Sequence, residues 1–132
     1  MNVQSSFPSF KAAQTHGNEQ AAGGFPIRDY RFLRDARPAR WWLNGDPVAT
    51  AWFNALSGTF PRGEAFFIES VKAHRDGVPP QLAEQIRSFI VQEINHSREH
   101  LALNRIAVEA GYDMAKIDRH VEEMMECWRK CG

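Results

Sequence analysis

This sequence of 132 residues has no surplus of charge, few cysteines and no long hydrophobic segment. Its 16 basic residues balance 16 acidic ones, so charge gives no argument for nucleic acid or an anionic membrane as a partner. The two cysteines, Cys127 and Cys131, cannot build a disulfide framework and fit a reducing compartment. The longest uncharged run, residues 47–61, is too short to cross a bilayer, and no signal peptide is recognisable. We therefore expect a soluble, cytoplasmic protein without a membrane span.

Motifs of several common catalytic sites are also missing. The chain has no Gly-rich phosphate loop, no G-x-S-x-G stretch and no Cys-x-x-Cys pair. No segment alternates apolar and polar residues with a period of two, so no strand is indicated. Helical patterns are present instead, and the sequence predicts an all-α fold.

Start and stop signals place the first helix. Asp46 is a good N-cap and Pro47 a good first helical residue. The pair Ser57-Gly58 predicts a stop, and Pro61 predicts either a kink or the start of a new helix, with the pattern running on to about His74.

Two further helices are expected. The second runs from about residue 81 to residue 109 and is ended by Gly111, a residue that readily adopts a left-handed cap. The third begins near Asp113 and continues into the C-terminus. Its predicted apolar face consists of Ile117, Val121, Met124 and Trp128.

The chain divides into an arm and one helical domain. Residues 1–24 are rich in Ser, Gln, Ala and Gly without a hydrophobic period, which predicts a mobile N-terminal arm. Residues 25–132 form the predicted helical domain. Within it, residues 25–45 mix Arg with aromatics, and we expect an extended segment that packs its aromatic side chains onto the body of the domain.

Ionisable side chains interrupt the apolar face of the second helix. Residues three and four apart share a helix face, and the face that begins in residues 82–89 continues through Glu93, His96 and His100. An unpaired charge is costly to bury, so a compensating partner is expected. Glu and His at i and i+3 can converge on one metal ion. The alternative is a polar network in which Glu93 pairs with a protonated histidine.

The first helix carries a matching acid. Glu64 lies among apolar residues of its helix face, whereas Glu69 falls on a solvated face. We predict that Glu64 binds metal together with the second helix. The alternative is a first-turn acid favoured by the helix dipole after a start at Pro61. His100 is expected either to bind the metal directly or to hydrogen-bond to a residue that binds it.

Two stretches resemble a known family. Residues 41–76, WWLNGDPVATAWFNALSGTFPRGEAFFIESVKAHRD, and residues 89–104, FIVQEINHSREHLALN, are similar to the bacterial proteins called predicted metal-dependent hydrolases. The matching motifs are W-x-x-G-D-P, A-L-S-x-T-F-P-x-G-E-x-F-F and Q-E-x-x-H-x-x-x-H-x-x-x-N. The resemblance covers roughly residues 25 to 125.

The resemblance implies a ferritin-like bundle with a metal site. It implies that Glu64, Glu93 and His96 bind metal and that His100 lies close to it. Family members are about twice as long, and nothing here matches their second Glu-bearing helix or their Glu-Glu-x-Glu-His stretch. A dimetal bundle takes a Glu from each of two helices and a Glu-x-x-His from each of two others, so about half of the bundle is present. The chain is then either a truncated gene product or one subunit of a homodimer that completes the site about a two-fold axis. Of these two, we favour the truncated product.

Three functions are consistent with these observations. The first is a metal-dependent hydrolase acting on an unidentified small molecule, with iron or manganese ions, or else zinc, activating water. The second is a di-iron oxidoreductase or oxygenase, because the same ligands suit iron that reacts with dioxygen. The third is a non-catalytic interaction module, because a half-bundle would expose its apolar face.

Overall fold

The computed structural model describes residues 24–33 and 38–131. The predicted mobile arm, residues 1–24, lies outside these ranges except for Gly24. The described residues contain three α-helices and no strand, which confirms the all-α class. None of these helices combines the length and the apolar character needed to traverse a bilayer.

Helix α1 spans Pro47–Ala73, and its beginning is as predicted. Asp46 is the N-cap, and its Oδ1 accepts hydrogen bonds from the amides of Val48 at 2.8 Å and Ala49 at 3.1 Å. These bonds satisfy two of the amide groups that a helix start leaves without an internal partner.

The predicted stop at Ser57-Gly58 is wrong, because α1 continues through Pro61. At Gly58 the missing side chain allows a close approach of the third helix, since a Cβ there would lie 2.9 Å from Cε of Met114. Pro61 has no amide hydrogen for the carbonyl of Ser57, four residues earlier. The side-chain amide of Asn104 donates to that carbonyl instead, at 3.3 Å. Neighbouring helices thus compensate for residues that disfavour an isolated helix.

Helix α2 spans Pro80–Glu109 and helix α3 spans Met114–Cys131. The turn between them follows the prediction, because Gly111 has a φ of 94° in the left-handed region. Oδ1 of Asp113 accepts a hydrogen bond from the amide of Lys116 at 3.1 Å, at the predicted start of α3.

The buried face of α3 differs from the predicted one. Met125 is buried where Met124 was expected, and Trp128 is 52% exposed. Arg62 on α1 donates hydrogen bonds to both carboxylate oxygens of Asp118, at 2.6 and 2.7 Å. Met125, seven residues after Asp118, lies on nearly the same side of α3 as this pair.

The segment 24–33 is held along α2 mainly by hydrogen bonds. The amides of Arg28 and Phe32 donate to Oε1 of Gln92 at 2.8 Å and to Oε2 of Glu99 at 2.9 Å. The predicted packing of aromatic side chains is limited here, because Phe32 is 59% exposed. Helix α1 packs against both α2 and α3, which touch each other only slightly.

Apolar burial is small in the described part of the chain. On α1, Phe53, Leu56 and Phe67 remain 46%, 41% and 53% exposed. We call these three residues the α1 apolar face; it passes beside Glu64, which is three residues before Phe67. Among the described residues, the buried apolar ones are Ala107, Met114, Val121 and Met125.

Candidate metal centre

Three potential metal ligands meet between α1 and α2. Glu64 from α1 and His96 and His100 from α2 each offer one ligand atom, and these atoms all lie within 4.8 Å of one another. The two histidines are four residues apart, so they share the face of α2 that packs against α1. We call this group the Glu64–His96–His100 cluster.

Glu64 is the buried acid of the cluster, with 2% of its surface exposed. Nδ1 of His96 lies 2.7 Å from Oε1 of Glu64, yet neither carboxylate oxygen accepts a hydrogen bond of ordinary geometry from any described residue. Burial raises the pKa of Glu64, while the charge that His96 can carry and a weaker interaction with the Ser97 side chain oppose this shift. A buried carboxylate with no well-formed hydrogen bond is costly, and a bound cation would compensate it.

His100 is held on three sides. Its Nδ1 lies 2.9 Å from Oγ of Ser57, and its Nε2 lies 3.0 Å from Nε2 of His96. The ring of Phe60 stacks on it with a centroid distance of 4.2 Å. Burial, reinforced by the neighbouring His96, lowers the pKa of His100 to about 4. The imidazole is therefore neutral at pH 7, which is the form that binds metal ions.

His96 is the exposed member of the cluster, with 47% of its side chain accessible. One ring nitrogen faces the Glu64 carboxylate and the other faces His100. The cluster therefore combines a carboxylate with two imidazoles and opens to the surface at His96. This donor set suits divalent iron, manganese or zinc.

Glu93, also predicted as a ligand, is not a member of this cluster. It is half-buried on α2 and close enough for its charge to raise the pKa of Glu64 further, although burial remains the largest cause of that shift. The carboxylate that the structure places beside His96 is that of Glu64. Metal binding by Glu93 stays a prediction.

Two residues of the site were not identified by the periodicity of ionisable groups. Oγ of Ser57 donates to Oδ1 of Asn104 at 2.7 Å and also lies against His100. Asn104 follows His100 by four residues, so continuing the same helical step would have found it. Ser57 precedes Gly58, where the sequence predicts a helix stop, so its neighbours in sequence do not indicate a role in the site.

Comparison with known protein families gives a match over most of the chain. A family model described as predicted metal-dependent hydrolase matches residues 26–131. No curated protein and no solved structure matches the chain significantly. The matched range contains all three helices and the whole Glu64–His96–His100 cluster. The chain belongs to the family of predicted metal-dependent hydrolases.

Proposed function

We propose that this protein is a hydrolase whose divalent metal ion is bound by Glu64, His96 and His100. The observation that carries the proposal is the buried Glu64 carboxylate, which has no hydrogen bond of ordinary geometry and lies beside two imidazoles. Family membership supports the reaction class. Each residue has a distinct part: Glu64 supplies the negative charge, and His96 and His100 supply neutral nitrogen donors.

Iron or manganese is the metal that we expect, with zinc as a further candidate, because carboxylate and imidazole donors suit all three. When bound, the ion would supply the Lewis acidity that makes water a nucleophile near neutral pH. Three protein donors leave coordination positions for water and substrate. The exposed side of His96 gives a small-molecule substrate access to the cluster.

We further propose that a second copy of this chain completes a two-metal site. Dimetal bundles take a Glu from each of two helices and a Glu-x-x-His from each of two others. This chain offers one of each, Glu64 on α1 and the pair Glu93 and His96 on α2. A two-fold axis doubles that set through a self-complementary contact. The α1 apolar face, uncovered beside Glu64, supports this arrangement.

Metal analysis of protein purified without chelator tests the ligand assignment. We expect bound iron or manganese in the wild type and its loss in Glu64→Gln and His96→Ala, with helix content unchanged by circular dichroism. Glu69→Gln is the matched control, because Glu69 is on the same helix but exposed and paired with Arg129 at 3.0 Å. A metal-free wild type whose melting temperature ignores added iron, manganese and zinc would overturn the proposal.

The reaction class requires a separate measurement. Metal-loaded protein is assayed against chromogenic esters, amides and phosphoesters, and we expect turnover that Glu64→Gln abolishes. An absorption band that appears on exposure of the iron form to air, without any hydrolysis, would assign oxidoreductase chemistry instead.

Light scattering with and without metal tests the second copy. We expect a metal-containing dimer, which Phe67→Lys on the α1 apolar face converts to monomers with weaker metal binding. Val48→Lys is the control, because Val48 is 77% exposed at the start of the same helix. A wild-type monomer that retains stoichiometric, tightly bound metal would contradict the dimer.

A further inference from the structure

Ser57 and Asn104 connect the backbone of α1 to the ring of His100. Oγ of Ser57 lies between Nδ1 of His100 at 2.9 Å and Oδ1 of Asn104 at 2.7 Å. Nδ2 of Asn104 donates to the backbone carbonyl of Ser57 at 3.3 Å. Ser57 is 2% exposed, so solvent offers its hydroxyl no alternative partner.

The backbone carbonyl of Ser57 can accept from Asn104 because Pro61 cannot donate to it. In an α-helix the carbonyl of residue 57 accepts from the amide of residue 61, and proline has no amide hydrogen. Asn104 satisfies the acceptor that Pro61 leaves without its helical donor. Pro61, which weakens α1 locally, therefore leaves the carbonyl of Ser57 available to the side chain of Asn104 on α2. We call this hydrogen bond the anchor.

The anchor fixes the direction of each hydrogen bond. A carbonyl only accepts, so the atom of Asn104 that faces it is the NH2 group, and Oδ1 is the atom that faces Ser57. Oδ1 also only accepts, so the single hydroxyl proton of Ser57 goes to Asn104. Ser57 must then accept from His100, which requires the proton of the neutral imidazole to be on Nδ1.

We propose that Pro61, Asn104 and Ser57 are positioning residues that hold His100 as the Nδ1–H tautomer, with its Nε2 lone pair directed into the cluster. Nε2 of His100 is 3.0 Å from Nε2 of His96, another member of the cluster. A lone pair at that atom is what a metal ion requires of an imidazole ligand. The role in metal binding rests on the proposed function, whereas the tautomer itself does not.

Nitrogen-15 NMR of the histidine rings in metal-free protein tests the tautomer directly. We expect the chemical shifts of His100 to show a protonated Nδ1 and an unprotonated Nε2. In Ser57→Ala the acceptor for Nδ1–H is lost, and we expect a mixture of tautomers. Ser70→Ala is the matched control, because its hydroxyl on the same helix donates only to the carbonyl of Phe66, at 2.8 Å. A wild-type ring protonated on Nε2 would overturn the proposal.

Titration with Mn²⁺ measures the consequence for binding. Removing a hydrogen-bond partner of a metal-binding histidine typically weakens affinity about 10–100-fold, and we expect that loss in Ser57→Ala but not in Ser70→Ala. If the wild type binds no metal, the proposed function fails while the NMR result stands. If the wild type binds Mn²⁺ and Ser57→Ala binds it equally tightly, the positioning role is refuted.

Pro61→Ala separates positioning from simple structural support. Alanine supplies the missing amide hydrogen to the carbonyl of Ser57 and removes a poor helix former. We therefore expect a more stable α1, together with a looser Asn104, a less uniform His100 tautomer and weaker Mn²⁺ binding. Unchanged tautomer and affinity in this variant would exclude Pro61 from the proposed set.

Discussion

Replacing Glu64 by glutamine is expected to change stability in opposite directions with and without metal. In the metal-free protein the carboxylate is 2% exposed, and its oxygens have no hydrogen bond of ordinary geometry with the described residues. An unsatisfied buried polar group costs about 1–3 kcal/mol. Glutamine has the same shape, no charge and an N–H group for Nδ1 of His96, which lies 2.7 Å from Oε1. We therefore expect metal-free Glu64→Gln to be more stable than the wild type by roughly 1–2 kcal/mol.

The pH dependence of this difference has a defined sign. Burial raises the pKa of Glu64 above its ordinary value of 4.5, so ionisation destabilises the folded wild type at neutral pH. As the pH falls, the carboxyl group becomes protonated in the folded protein before it does so in the unfolded chain. The advantage of glutamine should therefore shrink as the pH decreases and reach its minimum below pH 4.5.

With bound metal we expect the wild type to be more stable than Glu64→Gln. A ligand present at 100 times its Kd stabilises a protein by about 2.7 kcal/mol, which corresponds to about 10 °C in Tm for a chain of this size. The wild type should gain this increase with Mn²⁺, and Glu64→Gln should lose most of it. Thermal unfolding followed by circular dichroism, with and without Mn²⁺, measures both effects. A metal-free variant less stable than the wild type, or a variant with the full metal-induced increase, would refute the reasoning.

Three further predictions concern packing, an ion pair and pH. Gly58→Leu should lower the free energy of unfolding by about 1–3 kcal/mol in urea, because even a Cβ would lie 2.9 Å from Cε of Met114; unchanged stability would contradict this close packing. Arg62→Ala should cost about 1 kcal/mol, and less at high salt, because its pair with Asp118 is partly exposed; a loss indifferent to salt would point to packing instead. With the pKa of His100 lowered from 6.5 to about 4, stability should fall as the pH drops from 6.5 towards 4, because the unfolded chain takes up the proton first. Urea unfolding at pH 7 and pH 5 measures this decrease, and His100→Gln should lack it; an equal decrease in that variant would assign it to other groups.

Helix ends could be predicted where they depend on neighbours in sequence. Asp46 and Gly111 mark their boundaries correctly because a cap is made within one turn of the chain. The continuation of α1 through Gly58 and Pro61 could not be predicted in this way. It depends on the close packing of α3 and on the side-chain amide of Asn104, which is 43 residues beyond Pro61.

The candidate site was predictable where charge has to be compensated. Glu64, His96 and His100 stand out because ionisable groups on an apolar helix face need a partner. Ser57 and Asn104 carry no charge, and polar uncharged residues on a helix face are too common to be singled out by periodicity. The exposure of the α1 apolar face could not be predicted from sequence periodicity either. Periodicity identifies an apolar helix face but does not show what covers it.

The hydrogen bond from Asn104 to the carbonyl of Ser57 also sets the axial register of α1 against α2. A helix can shift along its neighbour by one turn, about 5.4 Å, and still present similar apolar side chains. Pro61 is the one proline in the interior of α1. Only one interior carbonyl of α1, that of Ser57, therefore lacks an amide N–H donor within the helix. A shift of one turn would leave that carbonyl and the amide of Asn104 both without a partner. The absent amide hydrogen of Pro61 therefore specifies one alignment of α1 against α2. In that alignment Glu64 lies beside His96.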